Sequence, residues 1–241
     1  MRLVSRVQVT PSRKSRTPPR TSAVAGRMSL LSQREPVEYQ SSFERDFVIM
    51  CDFAPEVELI RWQPFTFEFD DHVTGKRRRY TPDYLVETIN RQGIRYTYIV
   101  EVKRKVEYDR IYLRDPEGPI ARSHMAATMW CRQQPTTEMV VITDQWLACR
   151  GLANVRLIRC SANYAITNGL KDILFNAILT TPSITLGSLI EVARRVGVQR
   201  PFTVSCILRL CHEDLCYFDI AEPLGEETMF HEGSRQRVFR F

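Results

Sequence analysis

The sequence has no apolar run approaching the roughly 18 residues that a membrane-crossing helix needs, and its first residues hold no apolar signal core. A membrane partner is not expected, and residence in the cytoplasm is. The seven cysteines are an odd number without the spacing of a small secreted domain, so free thiols are predicted. Cys206, Cys211, His212 and Cys216 cluster, but four-residue gaps are not zinc spacing. Buried helix-core cysteines are the expectation there. The first 34 residues contain no acid, against Arg2, Arg6, Arg13, Lys14, Arg16, Arg20, Arg27 and Arg34. From residue 35 onward, 26 basic residues face 28 acidic ones, so the whole positive excess of the chain (net +6) sits in this segment. With Pro11, Pro18, Pro19 and many serines and threonines, residues 1–34 read as an extended or disordered arm. Such an arm contacts DNA, here through Arg13, Lys14, Arg16 and Arg20, or serves only as a solubilising tail.

What is present is a globular composition. The chain has 241 residues, 44% of them hydrophobic, which is room for one or two domains with a real core. Ser41 and Ser42 are good N-caps, and Phe43, Phe47 and Met50 recur at helical spacing. Ser41-x-x-Glu44 fits a capping box, with Glu44 reaching back to the helix start. Short strands are predicted over 57–62 and 64–70, then a polar turn over 71–76 containing Gly75. Lys76-Arg77-Arg78-Arg79 leads into the next strand. A helix over 120–132 is predicted to turn Met125, Met129 and Trp130 to the core. A strand over 138–143 and another over 152–158 follow. This order suits a mixed α/β sheet over residues 35–165.

The stretch Tyr80-Thr81-Pro82-Asp83-Tyr84-Leu85-Val86 and the stretch Ile99-Val100-Glu101-Val102-Lys103 read as two strands. Asn90-Arg91-Gln92-Gly93 has turn composition and joins them as a hairpin. A turn centred near Gln92 sets Asp83 opposite Glu101. Alternation along a strand puts Glu101 and Lys103 on one face. One carboxylate from each strand and a lysine two residues on therefore meet at one end of the hairpin. This is the Pro-Asp…Glu-x-Lys arrangement of restriction-type nucleases. The chemistry needs these residue types, because carboxylates offer hard oxygens to Mg²⁺ or Mn²⁺. A metal there polarises the phosphoryl oxygen and activates water, and the lysine orients or deprotonates that water and balances charge. A surface ion-pair patch on a hairpin is the plain alternative. Lys76, Arg77, Arg78, Arg79, Arg104 and Lys105 lie beside this site, where phosphate has to pass.

From residue 166 the pattern is helical: 170–179, then 186–196 ended by Gly197, then 203–212 opened by Pro201. A strand over 215–220 and a terminal strand including Val238 follow. Three helices and a β-wing describe a winged-helix domain, a fold that binds either DNA or protein. From Asn168 onward eight basic residues face nine acidic ones, and helix 203–212 offers Ile207, Leu208 and Leu210 rather than a polar base-reading face. Protein binding is the expectation for this domain.

An ordered series of segments resembles the TnsA-type endonuclease subunits of heteromeric cut-and-paste transposases. The segments are Ser41–Phe47, Asp52–Val57, Trp62-Gln63-Pro64, Arg79–Asp83, Glu101-Val102-Lys103, Thr143-Asp144 and Asn154-Val155. The resemblance spans about residues 35–241. It implies a restriction-endonuclease-like core followed by the winged helix, with Glu44, Asp83, Glu101 and Lys103 as the active-site set. Glu44, Asp83 and Glu101 would hold Mg²⁺ or Mn²⁺, and some members carry glutamine at the Glu101 position. The implied activity cleaves one strand at each transposon end, leaving 5′-phosphate and 3′-hydroxyl groups. The implied partners are double-stranded transposon-end DNA, a TnsB-like transposase, and a TnsC-like regulatory ATPase on the C-terminal domain. The implied location is the bacterial nucleoid. The rival readings are a stand-alone restriction or repair nuclease and a catalytically inactive DNA-binding scaffold subunit.

Overall fold

The computed structural model describes residues 7–11, 24–30 and 33–233. They fall into two compact units, divided after Leu147, with Phe53–Pro55 assigned to the second. Among the described residues no helix is long and apolar enough to cross a membrane.

The first unit opens with β1 (Gln8–Pro11), β2 (Gly26–Met28) and β3 (Val37–Tyr39), followed by α1 (Ser42–Phe53). Next come β4 (Val57–Trp62), β5 (Phe65–Asp70), β6 (Arg77–Tyr80), β7 (Tyr84–Ile89) and β8 (Arg95–Lys103). Then α2 (Lys105–Asp109) runs on as a π-helical turn, Arg110–Arg114, before α3 (Pro119–Cys131), β9 (Thr137–Thr143) and α4 (Asp144–Cys149). The main sheet has the order β4-β7-β8-β9. Its first three strands are antiparallel, and β9 lies parallel to β8. A parallel pair cannot be joined by a tight turn, and the segment carrying α3 supplies the crossover. A second sheet has the order β1-β5-β6, and β2 pairs with β3.

Alternation assigns the two faces of the main sheet. Tyr84 pairs with Val100 and Leu85 with Ile99. Tyr84 and Val100 are buried on the α1 side, where the Phe47 and Tyr84 rings lie 5.4 Å apart. Ile99 belongs to the opposite core, with Phe67 from β5 and Ala127 and Cys131 from α3. Each fully buried phenylalanine here, Phe47 and Phe67, contributes roughly 1.5–3 kcal/mol. The hairpin closes as its composition predicts: Gly93 has φ +80°, and the Asn90 carboxamide oxygen accepts the Gln92 and Ile94 N–H groups at 2.9 Å each.

The second unit contains α5 (Leu152–Ser161), α6 (Asn168–Thr180), β10 (Ile184–Thr185), α7 (Leu186–Arg195), α8 (Arg200–His212), β11 (Cys216–Tyr217) and β12 (Met229–Glu232). Its small sheet has the order β10-β12-β11. Buried Asn154 donates to the Ile220 and Glu222 carbonyls at 2.8 and 2.7 Å, tying α5 to the segment after β11.

Several expectations need correction. Residues 152–158 are helical, because Asn154, Val155, Ile158 and Ser161 are buried at helical spacing. In α3 the inward face is Ala121, His124, Ala127 and Cys131, small enough for the helix to approach the sheet; Trp130 packs against this core as predicted, 5.4 Å from the Phe67 ring, while Met125 is 47% exposed. Ile207, Leu208 and Leu210 of α8 are buried core residues and present nothing to a partner. The strand predicted over 215–220 shortens to Cys216–Tyr217, and Val238 lies outside the described residues. In the N-terminal arm, Gln8–Pro11 pairs with β5 and Gly26–Met28 with β3. Arg13, Lys14, Arg16 and Arg20 lie outside the described residues. All seven cysteines are free thiols, with Cys206, Cys211 and Cys216 buried.

Candidate active site

The β7–β8 hairpin does what its sequence spacing predicts. Pro82 has no N–H for a ladder, and the pairing of β7 with β8 starts at Tyr84, opposite Val100. The same register continued by one residue sets Asp83 against Glu101. Two backbone contacts fix Asp83. Its Oδ2 accepts the Val102 N–H at 2.8 Å, and its carbonyl accepts the Gln63 N–H at 2.8 Å. Gln63 adopts φ +41°, uncommon outside glycine, so the β4–β5 connection holds this contact in a sparsely populated conformation. Lys103 joins the pair from the next inward position of β8. Its Nζ lies 2.5 Å from Glu101 Oε1 and 3.8 Å from Asp83 Oδ2.

Burial would raise the Glu101 carboxyl, but the His124 ring and the Lys103 ammonium outweigh it and hold the group at about 2. Asp83 goes the other way. Burial and the charge of Glu101 push it well above the usual carboxylate range; Lys103 opposes this, and Glu44 adds to it. Burial works against the Lys103 charge, yet Asp83 and Glu101 outweigh burial and keep the ammonium above its ordinary value. The site therefore sets two carboxylates, Asp83 and Glu101, against one lysine. That imbalance, carried by hard oxygens, fits a divalent cation held by Asp83 and Glu101.

Glu44 is differently placed. Ser41 Oγ accepts the Glu44 N–H at 3.1 Å and donates back to Oε1 at 3.1 Å, while Oε2 accepts the Gln40 N–H at 2.9 Å. The Ser41 hydroxyl caps α1 as the sequence signals, and Glu44 reaches back to the helix start as expected, its bond going to the Gln40 N–H in place of the Ser41 N–H of a standard capping box. Tyr84 also donates to Oε2 at 3.4 Å. Glu44 thus stands on the α1 side of the sheet and Glu101 on the α3 side, with Asp83 at the strand end between them. Among the described residues no three acidic, histidine or cysteine side chains come together as a metal-holding group. A cleft of about 350 Å³ is lined by Ser41, Glu44, Lys103, Arg104 and Glu107, so Lys103 reaches it while Asp83 and Glu101 do not line it.

The basic residues divide into neutralised and open ones. Arg77 pairs with Glu68 at 3.2 Å and Arg79 with Glu68 at 3.4 Å. Arg78 pairs with Asp71. Cross-strand neighbours in β5 cause this, since Glu68 sits opposite Arg79 and Asp70 opposite Arg77. Lys105 pairs with Asp109, and Arg104 lies over the Phe43 ring at 5.2 Å. Lys76, Arg110 and Arg114 are exposed, with no ion pair among the described residues. Tyr80, His124 and Tyr112 surround Glu101 and were not legible as site residues. Tyr80 lies inside the Arg-Tyr-Thr-Pro-Asp run, which was a signal, but nothing in the spacing connects His124 to Glu101.

Residues 54–144, less than half of the chain, match the family model described as TnsA-like endonuclease N terminal. The match includes Asp83, Glu101 and Lys103 and stops short of Glu44. No curated protein matches the chain. The mixed α/β architecture fits a restriction-endonuclease-like fold.

Proposed function

We propose that this chain, whose residues 54–144 are a TnsA-like endonuclease N-terminal domain, is the DNA-cutting subunit of a cut-and-paste transposase. The observation that carries the reading is the meeting of Asp83, Glu101 and Lys103 at the end of the β7–β8 hairpin.

In this reading Asp83 and Glu101 hold Mg²⁺ or Mn²⁺, with Glu44 beside them. The bound cation supplies Lewis-acid polarisation of the phosphoryl group and a more acidic water. Hydrolysis joins a water oxygen to phosphorus and breaks the bond from phosphorus to the 3′ oxygen, which leaves as a hydroxyl and gives a 5′-phosphate. Lys103 stays protonated under its two carboxylates, so it serves as a cation facing the phosphate and not as the base that takes the water proton. Val102 and Gln63 keep Asp83 in place during this change of charge. Duplex DNA is gripped by Lys76, Arg104, Arg110 and Arg114. Arg77, Arg78 and Arg79 contribute less, because acids already offset them.

The second unit is a winged-helix domain in this reading, with α6, α7 and α8 and the sheet β10-β12-β11. Its even balance of charge supports binding to protein, namely a TnsC-like ATPase or a TnsB-like transposase. An open apolar cleft of about 420 Å³, lined by Tyr164, Leu170, Val198 and Phe202, supports the same assignment. The test is cleavage of end-labelled transposon-end duplexes by the full chain, with and without a TnsB-like transposase. Mg²⁺-dependent cutting of one strand by this chain is expected, with the other strand cut by the transposase. Cutting of both strands with this chain omitted contradicts the reading.

A further inference from the structure

The hairpin explains which residues meet, but not how the Glu101 carboxylate is aimed. Its two oxygens have different surroundings. Oε2 accepts the Tyr80 hydroxyl at 2.7 Å. Oε1 takes Lys103 at 2.5 Å and faces Nε2 of His124 at 3.7 Å. His124, on α3, is only 3% exposed, and its Nε2 has no hydrogen-bond partner among the described residues. Its Nδ1 bonds the Tyr112 hydroxyl, which comes from the π-helical turn. The Tyr80 ring lies 4.9 Å from the His124 ring and stacks on Phe67 at 6.0 Å with 7° between planes.

We propose that Tyr80, His124 and Tyr112 form a positioning cradle for Glu101, fixing which of its oxygens faces Lys103 and so setting how tightly the site holds its divalent cation. The inference rests on the metal-dependent nuclease reading and adds to it three residues from three separate elements. A core histidine with a purely packing role has both ring nitrogens satisfied in the core. Here one is satisfied and the other is aimed at a carboxylate. A proton on Nε2 suits the carboxylate it faces, and in the tautomer that carries it there Nδ1 accepts the Tyr112 hydroxyl. Tyr80, locked by its stack, takes Oε2 out of play. Glu101 then presents a single oxygen, Oε1, to Lys103, whose ammonium it shares with Asp83. Partners that orient a metal-binding carboxylate commonly change metal affinity by about 10–100-fold when removed.

The experiment is calorimetric titration of the full chain with Mn²⁺, alongside Mg²⁺ titration of plasmid nicking. Tyr80→Phe removes one hydroxyl and keeps the ring stack. Its Mn²⁺ Kd is expected to rise about 10–100-fold with the melting temperature unchanged. The Mg²⁺ concentration for half-maximal nicking should move with it, while kcat at saturating metal moves less. Tyr112→Phe, acting through His124, shifts the Kd in the same direction by less. His124→Leu weakens Mn²⁺ binding as Tyr80→Phe does, and His124→Gln, whose amide nitrogen reaches the Nε2 position, restores most of it. If His124→Leu does not fold, the two tyrosine variants decide. Wild-type Mn²⁺ affinity in both folded tyrosine variants overturns the cradle. If Asp83→Ala has then lost Mn²⁺ binding, the nuclease reading stands without it. A wild-type chain that binds no Mn²⁺ overturns both.

Discussion

Asp83 Oδ2 accepts the backbone N–H of Val102 at 2.8 Å, so the residue between Glu101 and Lys103 on β8 orients the carboxylate that faces them. One hydrogen bond thereby couples both carboxylates and the lysine to the register of a single hairpin. Side-chain chemistry and strand pairing are not separable here: a slip of one residue in β7 would turn Asp83 away and lose that bond.

Lys103→Met tests the division of labour in the site. It removes the cation proposed to face the phosphate but leaves both carboxylates. Cleavage should fall by about 10²–10³-fold, the usual loss for one electrostatic stabiliser. Mn²⁺ affinity measured by calorimetry should hold or tighten, because the competing ammonium is gone. A variant that cuts at the wild-type rate assigns Lys103 to structure alone.

Two pairs of arginines should behave differently toward DNA. Arg77→Ala with Arg79→Ala removes side chains already paired to Glu68, and duplex affinity should change little. Arg110→Ala with Arg114→Ala removes exposed cations along the helical stretch that follows Lys103. The salt slope of binding should drop by about two, one for each phosphate left without its cation. Fluorescence anisotropy of a labelled duplex across a salt series, with Ca²⁺ replacing Mg²⁺, reads both effects. The reverse ranking returns the DNA interface to β6.

Asp71 sets a pH dependence of stability. Its carboxylate is buried in the turn between β5 and β6 and bonds Arg122 of α3 at 3.0 Å, the Val73 N–H at 3.1 Å, and Arg78. Burial would raise this carboxyl; Arg122 and the other partners outweigh it and hold it far below the ordinary range. A depressed carboxyl contributes stability that is complete above its unfolded value, near pH 4, and is lost as the pH falls through the folded value. Asp71→Asn should therefore lower the melting temperature at neutral pH, and the gap to wild type should close as the pH drops below about 4. A gap that persists undiminished into strong acid removes the charge-based account of this turn.

The hairpin and its site were legible because local rules decide them. Asn90 to Gly93 sets the turn, the turn sets the register, and the register sets Asp83 against Glu101. The capping role of Glu44 was legible for the same reason. What was not legible depends on tertiary approach. His124 reaches Glu101 only because Ala127 and Cys131 let α3 settle on the sheet. Arg77 and Arg79 look like a phosphate grip until β5 brings Glu68 alongside. Residues 152–158 have apolar spacing compatible with either period over so short a run, and burial of Ser161 one turn later decides for a helix.

Asp83 and Glu101 are proposed to make a metal-dependent phosphodiesterase of this chain. The most direct measurement is nicking of supercoiled plasmid by the purified full chain, with Mg²⁺, Mn²⁺ or chelator, for the wild type and for Asp83→Ala, with transposase added where the wild type alone is silent. Metal-dependent nicks are expected in the wild type, none with chelator, and background cutting by Asp83→Ala with its fold and duplex affinity retained. Wild-type nicking by a folded Asp83→Ala chain in the presence of Mg²⁺ would contradict that role for Asp83.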